Sequence, residues 1–237
     1  MRNNTLPDGA FPPLYAAVLE TRNYIVGAAN AASGLYRRTA DGWMHLGWQN
    51  LRCTALAVSG SDPGTLFLAS GNGVLRSRDG GASWRVTTDW QVAEVLGLAL
   101  DPSVPGSVYA ASAYGVWHSP DEGETWRALP APAPRPDATF TPALVLDQST
   151  PARLLIGTAD GLFVSEDGGR GWHPTGPRVA VRALAQSRDR PAAWLAGTDG
   201  HGVLASDDGG ATWRAGAARA IVYTVCIDPA DPQRMAA

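Results

Sequence analysis

Short apolar segments alternate with polar turns along the whole chain, and no stretch carries a sustained helical period. Segments such as Cys53–Val58, Gly73–Ser77 and Val95–Leu100 are separated by stretches that contain Gly, Pro, Asp or Ser. Short apolar segments at regular spacing are typical of strands joined by tight turns. The pattern therefore predicts an all-β chain.

A short box with the pattern S-x-D-x-G-x-x-W recurs along the chain, at 77–84, 119–126, 165–172 and 206–213. A degenerate copy precedes these and retains only Asp41, Gly42 and Trp43 of the pattern. The box tryptophans, at positions 43, 84, 126, 172 and 213, are separated by 41, 42, 46 and 41 residues. A fixed period near forty residues indicates a repeat architecture.

The apolar segments come in groups of four, which we call strands A to D, and each box joins strand C to strand D. The predicted strands of the five units are 14–19, 24–29, 34–38 and 43–46; 53–58, 65–69, 73–77 and 84–87; 95–100, 107–111, 116–119 and 126–129; 143–146, 154–157, 162–165 and 172–175; and 181–185, 193–197, 203–206 and 213–215. Four antiparallel strands per repeat are typical of a β-propeller blade, which is stabilised by stacking on its neighbours.

The end of the chain begins a sixth unit. Residues 221–227 read as a strand A, and 228–237 match 101–110 position for position, up to the start of strand B. The predicted fold is therefore an all-β propeller of five complete four-stranded blades plus the first two strands of a sixth. Residues 1–12 form a lead-in, and 13–237 the propeller. We expect a longer parent protein, truncated here at its C-terminus; the alternative is that the half-blade closes a small propeller.

The box residues have the chemistry of a tight turn. Asp and Ser side chains bond nearby backbone N–H groups, Gly accepts positive φ, and the tryptophan offers a large surface for packing between blades. We predict a structural role for these residues and regard a row of catalytic aspartates as the disfavoured alternative. The set is Ser77, Asp79, Gly81, Trp84, Ser119, Asp121, Gly123, Trp126, Ser165, Asp167, Gly169, Trp172, Ser206, Asp208, Gly210 and Trp213.

The boxes and their spacing resemble the Asp-box (BNR) repeat family, part of the WD40/YVTN/BNR-like superfamily. Its propellers occur in sialidases, xyloglucan-type glycoside hydrolases, the sortilin ectodomain and a photosystem II assembly factor. The resemblance implies that the box aspartates face away from the ligand site. It also implies a functional surface made by the B–C and D–A loops.

A sialidase site is not recognisable in this sequence. The resemblance would require an arginine in a Phe/Tyr-Arg-Ile-Pro context near the start, and Arg22 lacks that context. A glycosidase needs two facing carboxylates at a defined separation. Glutamates are scarce, and the remaining carboxylates on the expected site face cannot be paired from the sequence. We therefore predict no catalytic residue.

The expected ligand surface carries aromatic side chains with scattered carboxylates and arginines. These groups suit a sugar or peptide ligand through stacking and charge-assisted hydrogen bonds. The alternative is that turns favour Asp and Gly for conformation and that a lone exposed aromatic residue is ordinary. The candidate ligand-binding residues are Trp90, Glu94, Tyr114, Asp137, Asp160, Arg178, Arg182, Asp199 and His201. The proline-rich loop 129–139 is expected to be extended, and Trp48, Trp117 and Trp194 to pack between blades.

Composition narrows the function classes. Apolar residues make up 45% and charged residues 17% of the chain, and the net charge is −3 without a basic run. These values indicate a compact soluble protein and argue against a nucleic-acid partner. There is no recognisable signal pattern or long apolar run, and Cys53 and Cys226 lack metal-type spacing. We expect a cytoplasmic monomer without membrane insertion, cofactor or metal.

The interpretation that follows is a non-catalytic propeller scaffold that binds a protein or glycan ligand on the B–C/D–A loop face. One alternative is a glycoside hydrolase with part of its site beyond residue 237. A second alternative is an assembly factor for a larger protein complex.

Overall fold

The computed structural model describes residues 14–18, 33–48, 51–150, 152–228 and 235–236. The predicted lead-in, 1–12, and the predicted strand 24–29 lie outside these residues.

The strands of the described residues fall into six successive antiparallel sheets. The first sheet contains β1 (Tyr15–Val18), β2 (Gly34–Thr39) and β3 (Gly42–Leu46). The second contains β4 (Cys53–Val58), β5 (Leu66–Ser70), β6 (Gly73–Ser77) and β7 (Arg85–Val86). The third contains β8 (Val95–Leu100), β9 (Val108–Ser112), β10 (Gly115–Ser119) and β11 (Arg127–Ala128). The fourth contains β12 (Ala143–Leu146), β13 (Leu154–Thr158), β14 (Gly161–Ser165) and β15 (His173–Thr175). The fifth contains β16 (Val181–Gln186), β17 (Trp194–Thr198), β18 (Val203–Ser206) and β19 (Arg214–Ala215), and the sixth β20 (Cys226–Ile227) and β21 (Met235–Ala236).

The second to fifth sheets have the predicted strand order A-B-C-D. Strands A of successive sheets lie side by side, from β4 through β8, β12 and β16 to β20. Every residue of the four B strands β5, β9, β13 and β17 is buried, because each B strand is covered by sheets on both sides. The short D strands β7, β11 and β19 are exposed. The sheets are therefore arranged radially, with strand A innermost.

The first sheet differs from the prediction. Residues 14–19 were expected to form strand A, but β1 pairs directly with strand C, with Val18 opposite Gly34, and so occupies the position of strand B. Tyr15 of β1 packs against the apolar cluster that contains Leu35 and Leu46. β1 therefore contributes to the same apolar cluster as strands β2 and β3.

The sixth sheet has the register that the sequence match predicts. Cys226 lies opposite Ala236 and Ile227 opposite Met235, as Ala99 lies opposite Tyr109 and Leu100 opposite Val108 in the third sheet. The strand is shorter than predicted, since 221–225 form no strand and only Cys226–Ile227 pair.

The core lies between the sheets. The cluster between the first and second sheets joins Leu35 and Leu46 to Leu66, Leu68 and Leu75. Similar clusters join each later pair of neighbouring sheets. Stability therefore comes from sheet-to-sheet contacts, as the repeat pattern predicts.

The connections form two opposite ends of the propeller. The boxes and the A–B loops lie at what we call the box end, where Gly80 N–H bonds Gly64 O at 2.9 Å and Glu122 N–H bonds Gly106 O at 2.7 Å. The B–C turns and D–A loops lie at the other end, which we call the loop face. The loop 129–139, expected to be extended, contains a 3₁₀ turn at Pro136–Ala138 that buries Ala138.

Candidate functional site

The four complete boxes fold into the same turn. In the second sheet, Ser77 Oγ accepts a hydrogen bond from Gly81 N–H at 2.8 Å and donates one to Asp79 Oδ1 at 2.7 Å. Asp79 Oδ1 also accepts from Ser83 N–H at 2.8 Å, and Oδ2 accepts from the Ser83 hydroxyl at 2.5 Å. The backbone bonds recur at Asp121, Asp167 and Asp208.

These hydrogen bonds stabilise the ionised form of the box carboxylates. The bond from the Ser83 hydroxyl is the largest effect that lowers the pKa of Asp79 to about 2, and the Thr212 hydroxyl lowers the pKa of Asp208 to about 2 in the same way. A carboxylate with so low a pKa is a poor general acid or base near neutral pH. This supports the structural role predicted for the box residues.

Each box also contacts the preceding sheet. A Cβ added to Gly81 would lie 2.8 Å from Leu46 Cδ1, and one added to Gly176 would lie 2.6 Å from Trp213. The indole N–H of Trp172 crosses to the preceding sheet and bonds Pro130 O at 3.0 Å. The boxes therefore form part of the packing between neighbouring sheets.

The loop face is connected by backbone hydrogen bonds between D–A loops and B–C turns. Glu94 N–H bonds Gly71 O of the second sheet at 3.0 Å, and Glu94 O accepts from Ala113 N–H of the third sheet at 3.1 Å. Residues 140 and 141 join the third and fourth sheets in the same manner. These bonds hold the loop side chains on a defined framework.

Asp160 forms the centre of the best-defined polar cluster on this face. Its side chain is only 3% exposed and accepts hydrogen bonds from Arg135 Nε at 2.9 Å, from Arg135 Nη2 and from Arg178 Nε at 2.5 Å. Burial acts to raise the pKa of Asp160, but the bonds from the two guanidinium groups outweigh it, and the pKa is lowered. One carboxylate therefore orients two partly exposed arginines.

A second ion pair lies on the fifth sheet. Arg182 Nη2 bonds Asp199 Oδ2, and the Arg182 guanidinium lies 5.2 Å from the ring centre of Tyr223. Tyr223 is 71% exposed, so most of its side chain is open to solvent. His201, in the B–C turn of the same sheet, is exposed.

The other candidates stand alone on the surface. Trp90 is 86% exposed and Tyr114 65% exposed. Glu94, at a positive φ of 48°, and Asp137 are exposed, and neither carboxylate has a hydrogen-bond or ion-pair partner among the described residues.

The sequence analysis missed two residues of these clusters. Arg135 is the one basic residue in the proline-rich loop, and that isolation was the available signal. Tyr223 fell within a predicted strand, so its exposure could not be foreseen. Of the tryptophans expected between blades, Trp194 is fully buried and Trp117 packs on a core cluster, whereas Trp48 is 48% exposed.

Within the described ranges, His, Cys, Asp and Glu side chains form no group of three or more that could hold a metal ion. The same part of the chain contains no helix of the length and apolarity that a membrane crossing requires.

The radial arrangement of the sheets, with their connections at two opposite ends, is that of a β-propeller. This confirms the predicted fold class. No protein-family model matches the chain, and no curated protein matches it at a significant level. Solved structures of similar fold include an ancestral GH74 enzyme, with a TM-score of 0.71 at 18% identity over 86% of this chain and 31% of that chain. YCF48 bound to D1 peptide matches with a TM-score of 0.62 at 15% identity over 86% and 68%. The extracellular domain of BT4673 from B. thetaiotaomicron matches with a TM-score of 0.62 at 16% identity over 82% and 29%.

At these identities the likeness shows the fold alone. The chain spans 31% to 47% of the length of the GH74 structures that it matches. One neighbour is an extracellular domain, so the expected cytoplasmic location stays a prediction.

Proposed function

We propose that this propeller is a non-catalytic scaffold of the Asp-box type that binds a segment of a partner protein on its loop face. The four box turns, which share the same backbone hydrogen bonds to serine and aspartate, support the Asp-box assignment. The observation that carries the binding role is the cluster of Asp160 with Arg135 and Arg178.

The cluster has the properties of a preorganised anion-binding site. Arg178 is 66% exposed and, among the residues that the structure describes, bonds only Asp160 and only through Nε, so its two Nη groups are available to a ligand. Two guanidinium groups around one carboxylate leave a net positive charge. Guanidinium groups bind carboxylates through paired, charge-assisted hydrogen bonds. An acidic side chain or a free C-terminal carboxylate of a peptide matches this chemistry.

Exposed aromatic side chains add apolar contact area on the same face. Trp90, Tyr114 and Tyr223 supply large, rigid surfaces of the kind enriched at protein interfaces. YCF48, one of the structural neighbours, was solved with a D1 peptide, so a propeller of this general shape binds a peptide. An assembly factor for a larger complex is one form that such a scaffold takes.

The test is fluorescence anisotropy with two labelled peptides of equal length, one Glu-rich with a free C-terminal carboxylate and one with Gln and an amidated end. We expect the acidic peptide to bind at least about tenfold more tightly. Arg178→Gln should remove most of this preference. Arg214→Gln is the matched control, since Arg214 is an exposed, ion-paired arginine at the box end. Equal affinity for both peptides, or equal effects of the two variants, would contradict the proposal.

Glycoside hydrolysis, the activity of the GH74 enzymes of similar fold, is the second candidate, and two exposed carboxylates on the loop face favour it. Glu94 and Asp137 are the loop-face candidates whose carboxylates have no partner in the part of the chain that the structure describes. A hydrolase should release the aryl group from an aryl-glycoside, and Glu94→Gln or Asp137→Asn should abolish this activity. No turnover by the unaltered chain would leave the binding scaffold as the better account.

A further inference from the structure

A cavity of about 450 Å³ opens at the box end, between the second and third sheets. Its walls come from the A–B loops of both sheets and from Glu122 in the box of the third sheet. Cavities that bind small ligands measure about 300–1,000 Å³, so this one has the size of a ligand site. It lies at the opposite end of the propeller from the arginine cluster and is independent of the peptide-binding function proposed above.

The A–B loops of the four complete sheets are closed by the same backbone hydrogen bond, from the first residue after strand A to the residue before strand B. The bonds are Ser59 N–H to Thr65 O, Asp101 N–H to Ser107 O, Asp147 N–H to Arg153 O and Ser187 N–H to Ala193 O, at 3.0, 3.0, 2.9 and 2.9 Å. Thr65 in the second sheet and Arg153 in the fourth therefore occupy equivalent positions in the repeat.

The side chain of Arg153 lies between the fourth and fifth sheets. It is 14% exposed, and its guanidinium bonds Gly209 O of the fifth sheet and Asp147 Oδ2 of its own sheet, each at 2.7 Å. Thr65 is too short to cross between sheets in this way, and its hydroxyl bonds Asp62 within its own loop at 2.7 Å. The cavity that Thr65 lines therefore corresponds to space that an arginine side chain occupies two sheets further along the chain.

The charged side chains that line the cavity, Asp101 and Glu122, are both acidic. Asp101 Oδ1 accepts the N–H and the hydroxyl of Ser103 at 2.8 and 2.6 Å and the N–H of Val104 at 3.3 Å. Among the described residues, Asp101 Oδ2 accepts no hydrogen bond and Asp101 forms no ion pair. Glu122 pairs with Arg78 at 2.9 Å, but both side chains are partly exposed, and such a pair is weak. The cavity wall therefore favours a cation.

The box of the third sheet is held by a different arginine. Glu122 O, the equivalent of Gly209 O, accepts from Arg76 Nη1 at 2.6 Å, and Arg76 Nη2 bonds Glu124 at 2.7 Å. Arg76 is 5% exposed in its side chain and is not part of the cavity wall. A cation that enters the cavity would therefore bind the carboxylates of Asp101 and Glu122 and not the backbone of the box.

We propose that this cavity binds an alkylguanidinium group, such as the side chain of an arginine in a partner protein. Guanidinium groups form charge-assisted hydrogen bonds with carboxylates, and the aliphatic stem of arginine packs against apolar surface. Both kinds of contact are available, since Val58, Phe67 and Leu100 line the cavity together with the two carboxylates. The wall has no basic residue that would repel such a ligand.

The experiment is an NMR titration of the ¹⁵N-labelled full chain at constant ionic strength, followed at the backbone amides of Gly60 and Gly106, which line the cavity. The probes are N-acetyl-arginine methylamide and its neutral isostere N-acetyl-citrulline methylamide, each up to about 100 mM, a range that detects millimolar affinities. We expect a saturable shift with the arginine probe and at least about tenfold weaker binding of the citrulline probe. No saturable shift at these amides, or equal affinity for the two probes, would overturn the proposal.

A third probe, butylguanidinium, separates two sources of the ligand. Affinity equal to that of the arginine probe would support a site for the guanidinium and its stem alone, as in a free small molecule. Weaker binding of butylguanidinium would support a site for an arginine within a peptide chain, because the backbone of the probe then contributes contacts.

Asp101→Asn tests the carboxylate. Asparagine keeps the Oδ1 atom that accepts from Ser103 and Val104 and loses the charge, so the arginine probe should bind at least about fivefold more weakly. Asp207→Asn is the matched control, since Asp207 is an exposed carboxylate in the box of the fifth sheet. Equal effects of the two variants would mean that only the overall charge matters and would overturn the site.

Thr65→Arg tests the correspondence with Arg153. The new side chain should occupy the cavity and abolish binding of the arginine probe, whereas Thr65→Val, of similar size to threonine, should leave it intact. Full affinity in Thr65→Arg, or equal loss in the two variants, would overturn the proposal. If Thr65→Arg does not fold in a urea titration, the comparison of Asp101→Asn with Asp207→Asn decides. Arg178→Gln should leave the titration unchanged, so that failure of the peptide proposal and of this one remain distinguishable.

Discussion

Arg178 Nε donates a hydrogen bond to Asp160 Oδ1 at 2.5 Å, and the same carboxylate accepts from Arg135 through its other oxygen. The carboxylate is buried, whereas the Arg178 side chain is mostly exposed. A buried acid thus fixes the direction of an exposed base. The position of this positive charge on the loop face is therefore set by the folded backbone and does not depend on a free side chain.

Asp160→Asn should destabilise the protein by about 2 kcal/mol, because two guanidinium groups lose their shared counter-charge and a buried acceptor weakens. A urea titration at pH 7 measures the change in free energy of unfolding. Asp199→Asn is the matched control, since its side chain is 35% exposed and a partly exposed pair contributes about 1 kcal/mol or less. A similar loss in the two variants would mean that burial of Asp160 does not matter.

Two neighbouring glycines of the fifth-sheet box test its packing against the fourth sheet. Gly209 and Gly210 have φ values of 77° and 84°, so alanine strains both. A Cβ at Gly209 would meet no atom within 4 Å, whereas one at Gly210 would lie 2.8 Å from Leu155 Cδ2. Gly209→Ala should cost about 1–2 kcal/mol from strain alone. Gly210→Ala should cost about 1–3 kcal/mol more, from overpacking. Equal unfolding midpoints would refute the packing role.

The sequence predicted the repeat better than it predicted the ends and the site. The spacing of the boxes predicts where strands C and D meet, because Gly and Asp stabilise the turn locally. The strand order of the four complete sheets could therefore be predicted from the sequence. The place of β1 depends on its partner strand and on the core contact of Tyr15, which no local pattern records.

The candidate site was only partly predictable for the same reason. Asp160 and Arg178 were both candidates, but their pairing with each other and with Arg135 depends on how two loops meet across neighbouring sheets. The exposure of Tyr223 likewise depends on a segment that does not pair as a strand. Long-range contacts between loops leave no periodic signal in the sequence.

The two cysteines should differ strongly in reactivity. Burial raises the pKa of the Cys53 thiol to about 11, whereas the Cys226 side chain is exposed. At pH 8 only about one Cys53 thiol in a thousand is ionised, and the thiolate is the reactive form. Labelling with a disulfide reagent at pH 8 should therefore modify Cys226 first. In Cys226→Ser the remaining reaction should be slow and accelerate about tenfold per pH unit up to pH 10. Fast labelling of that variant at pH 8 would contradict the burial of Cys53.

The low pKa values of the box aspartates predict that the protein loses stability in acid. The folded-state pKa of Asp79 and of Asp208 is about 2, below the ordinary value of 3.8. Since the folded pKa is the lower one, the stability that these groups contribute is present above about pH 4 and lost as the pH falls through about 2. Urea titrations between pH 5 and 2 should show a shallower decline for the double variant Asp79→Asn, Asp208→Asn. Asp207→Asn is the control, because it removes a neighbouring carboxylate from the same turn and leaves the box aspartate Asp208 in place. A decline as steep as that of the unaltered chain would exclude the box aspartates as its cause.

The fourth-sheet box lacks one hydrogen bond that the other boxes have. Ser83, Thr125 and Thr212 each donate a hydroxyl to the box aspartate, whereas the equivalent Gly171 bonds Asp167 only through its N–H, at 2.8 Å. Gly171→Ser should therefore stabilise the protein by about 0.5–1.5 kcal/mol from the added bond. Gly171→Ala is the control, because it reduces the freedom of the unfolded chain by a similar amount without adding a hydroxyl. Greater stability of the serine variant in urea would assign the difference to the hydroxyl. Equal stability of the two variants would mean that the hydroxyl bond in the other boxes is not stabilising and that the turn depends on its backbone bonds alone.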